Sequence, residues 1–229
     1  MKKIAIHQPN YFPWPGYFFK MLSADVFVLY DNIQIEQYSQ QAFVNRTKIR
    51  TAYGQQWMTC PVHVNGSKLI QDVVLADDIN WRTKHLKSIY YNYNSCPFFD
   101  DIFPQVEQLI FSGDVFLADF NEHIIRWVCN YLDINCEILR ASNMELETVG
   151  ATERLIEIVK YLDGDTYLSG MGAKTYQNDA FFDENNIKLM YSKFVCKPYE
   201  QRYQPFMPQL SILDVLFNMG KESRKIIES

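Results

Sequence analysis

The sequence predicts an α/β fold: a mainly parallel sheet flanked by helices, with a helical insertion or cap near the middle of the chain. Three observations carry that expectation. Short β-branched or aromatic runs recur with turn residues beside them. Helix-like stretches fall between most of those runs, and parallel neighbours need such long crossovers. The region 77–131 is richer in helix than plain strand–helix alternation requires, which places a helical layer over the ligand edge of the sheet.

The strand candidates, in order, are Lys3–His7 and residues 26–31, 57–62, 136–139, 166–169 and 187–191. A short helix over 17–23 joins the first two. Three middle helices show apolar stripes at helical spacing: Ile79, Leu86, Ile89 and Tyr93; Leu117, Phe120, Ile124, Trp127 and Tyr131; and Leu155, Ile158, Val159 and Leu162. Near the end, Ser211 and Asp214 fit a capping box, with Leu210 and Val215 as a hydrophobic staple and Gly220 as the closing cap. Those cap residues read as structure, not chemistry.

Composition sets the class. The chain has 229 residues, 48% of them hydrophobic and 21% charged, without a Gly/Ser tract, charge block or repeat, so a single domain over 1–229 is expected. A formal charge of −5 argues against a phosphate-backbone binder, so nucleic acid is not the expected partner. The 5 cysteines form no C-x-x-C pair and are odd in number, which suggests neither a zinc framework nor a closed disulfide set and points to a reducing, cytoplasmic compartment. No stretch reaches membrane-spanning length, and Met1 leads into a strand, not a signal peptide.

The most distinctive stretch is His7-Gln-Pro-Asn-Tyr-Phe-Pro-Trp-Pro-Gly-Tyr-Phe18. Pro9, Pro13 and Pro15 each fix φ and keep the residue before them extended, so a stiff, shaped loop must leave the C-terminal end of the first strand. Open α/β sheets place ligands at that edge. His7 is the candidate acid or base there, with Gln8, Asn10, Trp14 and Tyr17 as binding candidates. Because the loop lacks several N–H donors, some of these side chains are equally needed to satisfy neighbouring carbonyls. Asp31 and Gln34 end the second strand. If the two strands are neighbours, Asp31 can orient His7; its structural alternative is to cap the next turn.

Further along, Asn45, Arg46, Lys48 and Arg50 form a dense basic cluster. If extended, it aligns Arg46, Lys48 and Arg50 on one face, suited to a diphosphate or carboxylate or, equally, to an ordinary solvated charge row. Trp81, Lys84, His85 and Ser88 share a helix face distinct from the apolar stripe, suited to stacking on and neutralising a ligand or, equally, to ordinary surface. The stretch Tyr167-Leu-Ser-Gly-Met-Gly-Ala-Lys-Thr-Tyr176 runs from a strand end into a helix, and Ser169, Gly170 and Gly172 would let backbone N–H groups approach an anion. It is neither a complete G-x-G-x-x-G nor a Walker motif, so no cofactor is assigned. His7, His63, His85 and His123 lack metal-ligand spacing, and no metal is expected. Neither a G-x-S-x-G elbow nor a paired Cys and His supports a hydrolase.

Taken together, the His7 to Phe18 stretch, Ala24-Asp-Val-Phe-Val28, Asp31-Asn-Ile-Gln34, Asn45-Arg46, Tyr167-Leu-Ser-Gly170, Tyr199-Glu-Gln201 and the run from Leu210 to Gly220 resemble the WbqC-like family. That resemblance implies a bacterial cytoplasmic protein of the kind encoded among genes for O-antigen and other surface polysaccharides. It implies a transferase moving an acyl or aminoacyl group onto a nucleotide-linked amino sugar, with His7, Gln8, Asn10, Asp31, Gln34, Asn45, Arg46, Ser169 and Gly170 in the site. Two other expectations stand beside it. The loop after the first strand distantly resembles that of HIGH-type nucleotidyltransferases, although Tyr17 replaces the second histidine. A non-enzymatic sugar- or nucleotide-binding or assembly protein is the third.

Overall fold

The computed structural model describes residues 1–36, 42–64, 66–148, 150–175 and 179–228. Along the chain lie β1 (Lys3–His7), α1 (Pro15–Leu22), β2 (Val26–Leu29), β3 (Arg46–Thr51), β4 (Gly54–Thr59), β5 (Val62–His63), β6 (Val74–Leu75), α2 (Trp81–Tyr93), α3 (Phe99–Ile110) and α4 (Leu117–Tyr131). They are followed by β7 (Glu137–Arg140), α5 (Ala151–Tyr161), β8 (Thr166–Gly170), α6 (Asp179–Glu184), β9 (Lys188–Ser192), α7 (Ile212–Met219) and α8 (Ser223–Ile227). The main sheet has 5 strands in the order β7-β2-β1-β8-β9, every pair parallel. Counted along the chain, its strands run third, second, first, fourth, fifth. The direction of winding therefore reverses between β1 and β8, the place where open α/β sheets leave a crevice for ligands.

Alternation along these strands divides the core between two faces. Ala5, Phe27, Leu29 and Leu168 join the larger cluster with α1, α2, α3, α4 and α7. Ile4, Ile6, Val26, Val28 and Tyr167 join the smaller one, built on Ile156, Val159 and Phe182 of α5 and α6. Burial on both faces explains why the central strands read as continuous apolar runs.

Several expectations need correction. The predicted strand 57–62 is not part of the parallel sheet. Its first residues close the antiparallel β3–β4 hairpin, and the chain resumes beyond Pro61 as β5, which pairs only with β6. Pro61 has no N–H to donate and cannot continue a ladder. The second strand stops at Leu29, because the Asp31 N–H turns back to the Leu29 carbonyl at 3.1 Å. α1 starts two residues earlier than expected, with Pro15 in the first turn, where a missing N–H has no consequence. In the α2 stripe, Leu86, Ile89 and Tyr93 are buried as expected, whereas Ile79 lies before the helix and is exposed.

At the C-terminal cap, Ser211 Oγ accepts from the Leu213 N–H at 3.3 Å and donates to the Phe12 carbonyl at 3.0 Å. Asp214 does not complete a capping box, since the Ser211 N–H goes to Lys48 O. Its buried carboxylate instead accepts from Tyr199 Oη at 2.5 Å, Gln201 Nε2 at 2.7 Å and Tyr93 Oη at 3.2 Å. That cluster ties α2 and α7 to the segment after β9. Gly220 does close α7, at φ 54.

Candidate functional site

A cleft of about 1040 Å³ opens at the C-terminal ends of β1 and β8, at the switch point of the sheet. Of the residues singled out in the sequence, His7, Gln8, Asn10, Trp14, Gln34, Ser169, Gly170 and Gly172 line it. Its other walls come from Lys20, from Tyr30, Asn32, Ile33 and Glu36 of the segment after β2, from Phe43 and Leu69, and from the first turns of α5 (Ala151, Thr152, Arg154, Leu155). Among the described residues, none from α2, α3 or α4 lines the cleft. The expected mid-chain helical stretch therefore exists, but it backs one face of the sheet. The rim over the ligand edge is built by α5 and the segment after β2.

The floor is the proline-rich loop, and its shape follows from where its carbonyls go. Tyr17 Oη donates to Gln8 O at 3.1 Å, Asn121 Nδ2 to Pro9 O at 2.9 Å, Thr47 Oγ1 to Phe12 O at 3.0 Å, and the Ile212 N–H to Pro13 O at 2.8 Å. Phe12 sits at φ 39, an uncommon conformation for a bulky residue that these bonds hold in place. Gly16 is required for a packing reason: a Cβ there would lie 2.3 Å from the Trp14 ring, which also contacts Phe194 edge-on. Tyr17 is thus a buried strut beneath the loop. Burial pushes its phenol well above the ordinary range, so it remains a donor.

His7 closes β1 on the α1 side of the sheet, its ring 4.9 Å from that of Tyr17. Neither ring nitrogen has a hydrogen-bond partner among the described residues. Burial first, and the neighbouring Lys20 charge second, lower its pKa to about 3, so the imidazole is neutral and able to accept a proton or donate one N–H to a ligand. Lys20 was not foreseen from the sequence. α1 is packed on nearly all sides, which forces this side chain inward: it is 4% exposed and donates from Nζ to the Ile6 carbonyl at 2.7 Å. Burial lowers its pKa to about 7.

Asp31 does not orient His7. Its fully buried carboxylate accepts from the Ser142 N–H at 2.9 Å and Ser142 Oγ at 2.8 Å, and Arg140 Nε lies 3.1 Å away. Arg140 is shared with Asp119 at 2.7 Å and Glu122 at 3.2 Å, so this network joins β2 and β7 to α4. Gln34 pairs with Leu69 as an isolated antiparallel bridge, which carries the residues after β2 along the rim of the cleft.

The basic cluster is extended, as β3, but it lies outside the cleft. Arg46 and Lys48 stand over the Trp57 ring at 4.2 and 4.8 Å, and Arg46 Nε donates to Ala42 O. Arg50 is buried and donates to the carbonyls of Thr51, Tyr203 and Pro205. Asn45 is buried as well, its Nδ2 donating to Cys60 O at 3.1 Å. Residue spacing showed the alternation but not the local partners that occupy these side chains.

The Trp81 face also departs from expectation. Trp81 and His85 point into the core while Lys84 is exposed. His85 Nε2 lies 3.2 Å from Thr59 O, which can only accept, so that nitrogen carries the proton and Nδ1 accepts from Tyr11 Oη at 2.9 Å. Burial lowers its pKa to about 4. On the far side of the cleft, Gly170 ends β8, one residue after Ser169, and the chain continues into a 3₁₀ turn, Met171–Thr175, where a helix was expected. A Cβ on Gly170 or Gly172 would meet nothing within 4 Å, so there is room beside both positions. Tyr176 lies outside the described residues.

The WbqC-like protein family matches residues 8–226 of the chain. The chain belongs to that family. It is also 33% identical over 227 residues to the uncharacterized protein Rv1507c of Mycobacterium tuberculosis (strain ATCC 25618 / H37Rv), across 97% of this chain and 96% of that one. No solved structure matches the chain. Among the described residues no three His, Cys, Asp or Glu side chains gather to hold a metal ion. No helix among them is long and apolar enough to cross a membrane.

Proposed function

We propose that this WbqC-like protein is a transferase acting on a nucleotide-linked amino sugar in the cytoplasmic stage of surface polysaccharide synthesis, moving an acyl or aminoacyl group onto the sugar. One observation carries the reading: a cleft at the β1/β8 switch point, with Gly170 in its wall, brings the uncommitted imidazole of His7 together with the polar groups of Gln8 and Asn10 and the amine of Lys20. Its volume of about 1040 Å³ suits a ligand larger than a simple sugar. In this scheme the acceptor's lone pair forms the new bond to the acyl carbon while its proton passes to a His7 ring nitrogen. The donor's leaving group departs with the bond pair and recovers that proton from His7. Trp14 supplies a stacking surface at the rim.

A panel of nucleotide amino sugars, each with activated acyl and aminoacyl donors, tests this by mass spectrometry of the products. Stabilisation by a nucleotide sugar without any product would make the chain a binding module instead. Nucleotidyl transfer is the second reading, favoured by the reversal of strand order beside a histidine at the end of β1. Its mark is pyrophosphate release from a nucleoside triphosphate. The buried Tyr17 at the position of the second histidine weighs against it.

A further inference from the structure

Lys20 presents a charge-balance problem that points outside the chain. An ammonium has three N–H donors, and only one is used, on the Ile6 carbonyl. No described carboxylate pairs with it, although it is 4% exposed and an ionised amine without a counter-charge is costly to bury. The groups facing the cleft around it do not supply that charge. His7 from β1 is neutral, Tyr30 after β2 is held protonated by burial, and Arg154 from α5 is cationic. Glu36 is the one carboxylate among the described lining residues, and it lies on the exposed rim. The Phe27 ring, its centroid 6.0 Å from Nζ, is apolar and supplies no counter-charge.

An amine in this position has two stable conditions: neutral in the empty cleft, or charged against an anion brought by the ligand. Burial places its pKa at about 7, so both are accessible near neutral pH. We propose that Lys20 is the anion-binding group of the cleft, pairing with the diphosphate of a nucleotide-linked substrate and taking up a proton as that anion binds. The proposal deepens the transferase reading and rests on it for the nucleotide, but not for the anion. It also bears on His7, whose basicity is lowered first by burial and second by charge on Lys20, because the bound anion offsets the charge that Lys20 gains.

Calorimetric titration of the full chain with uridine diphosphate near pH 8, in two buffers of different ionisation enthalpy, measures both affinity and proton uptake. Uptake approaching one proton is expected in the wild type. Lys20→Arg, which stays charged, should bind without uptake, and Lys20→Met should lose at least about tenfold in affinity. Equal affinity of Lys20→Met and wild type overturns the proposal. So does uptake that persists in Lys20→Arg, which assigns the proton to His7. Absence of wild-type binding to both uridine diphosphate and inorganic pyrophosphate overturns it as well.

If Lys20→Met fails to fold, ¹³C-dimethylated lysines of the wild-type chain decide. The resonance missing from Lys20→Arg should titrate near neutral pH and move to higher pH with the ligand, and a resonance indifferent to the ligand refutes the assignment. Lys20-dependent binding without transfer from any nucleotide sugar would remove the transferase reading and leave this one standing. Nucleotide-sugar turnover that ignores Lys20→Met does the reverse.

Discussion

Two histidines mark two corners of this molecule and show how burial differs from commitment. His85, on α2, and His7, at the end of β1, both have their pKa lowered far enough by burial to be neutral at physiological pH. Yet His85 spends both ring nitrogens on the chain itself, joining Tyr11 of the proline loop to the end of β4. His7 spends neither on the described residues and opens onto the cleft. A shifted pKa therefore does not separate a structural histidine from a working one; the free hydrogen-bonding capacity does.

The largest effect expected from this contrast is on turnover. His7→Ala should lower kcat of the transfer reaction by about 10²- to 10⁴-fold with little change in unfolding midpoint, and full activity would remove His7 as the proton acceptor. The converse holds for His85→Ala, which strands the Tyr11 hydroxyl and the Thr59 carbonyl. It should cost about 1–3 kcal/mol for each stranded group in urea unfolding while the folded fraction keeps its activity.

Acid should act on both corners at once. Each folded-state pKa lies below the ordinary value of 6.5, so between that pH and about 3 for His7, or about 4 for His85, the unfolded chain binds more protons. Stability then falls as the pH falls through those windows, by about 1.4 kcal/mol per pH unit for each histidine. His7→Gln and His85→Gln should each remove one share of that slope, and a slope unchanged in either variant would show that the ring is not buried as described.

Glycines sharpen the same distinction at smaller scale. Gly16→Ala forces a methyl into the Trp14 ring and should cost about 1–3 kcal/mol, with a shifted tryptophan emission as the local report. Gly170→Ala meets open space and should leave stability within about 0.5 kcal/mol. Any loss it produces should appear instead in ligand affinity, because its methyl covers backbone that faces the cleft.

How much of this was legible in the residues depends on how local each cause is. Prolines act on their own and the preceding φ and ψ, so a stiff loop after β1 could be read directly from Pro9, Pro13 and Pro15. Phe12, expected to be extended before Pro13, is instead held at φ 39 by bonds from distant elements. Apolar runs and stripes act through period, which is why all five strands of the main sheet and the three middle helices were anticipated to within a few residues. The same logic misplaced residues 57–62, whose β character is real but whose partner is a neighbour in sequence, not a strand of the main sheet.

The amino-acid order by itself determined the α/β class, the stiff aromatic floor and the family to which the chain belongs, since these depend on backbone restriction, periodicity and motif. Tertiary structure alone decided which polar side chains remain available. Asp31 was taken by Ser142 and Arg140, Arg46 and Lys48 stand over Trp57, and His85 was drawn into the core, while Lys20 was carried by a buried helix to the cleft, where no described carboxylate pairs with it. The physical reason is that a side chain's free valence depends on long-range neighbours, and those are set by how the layers pack.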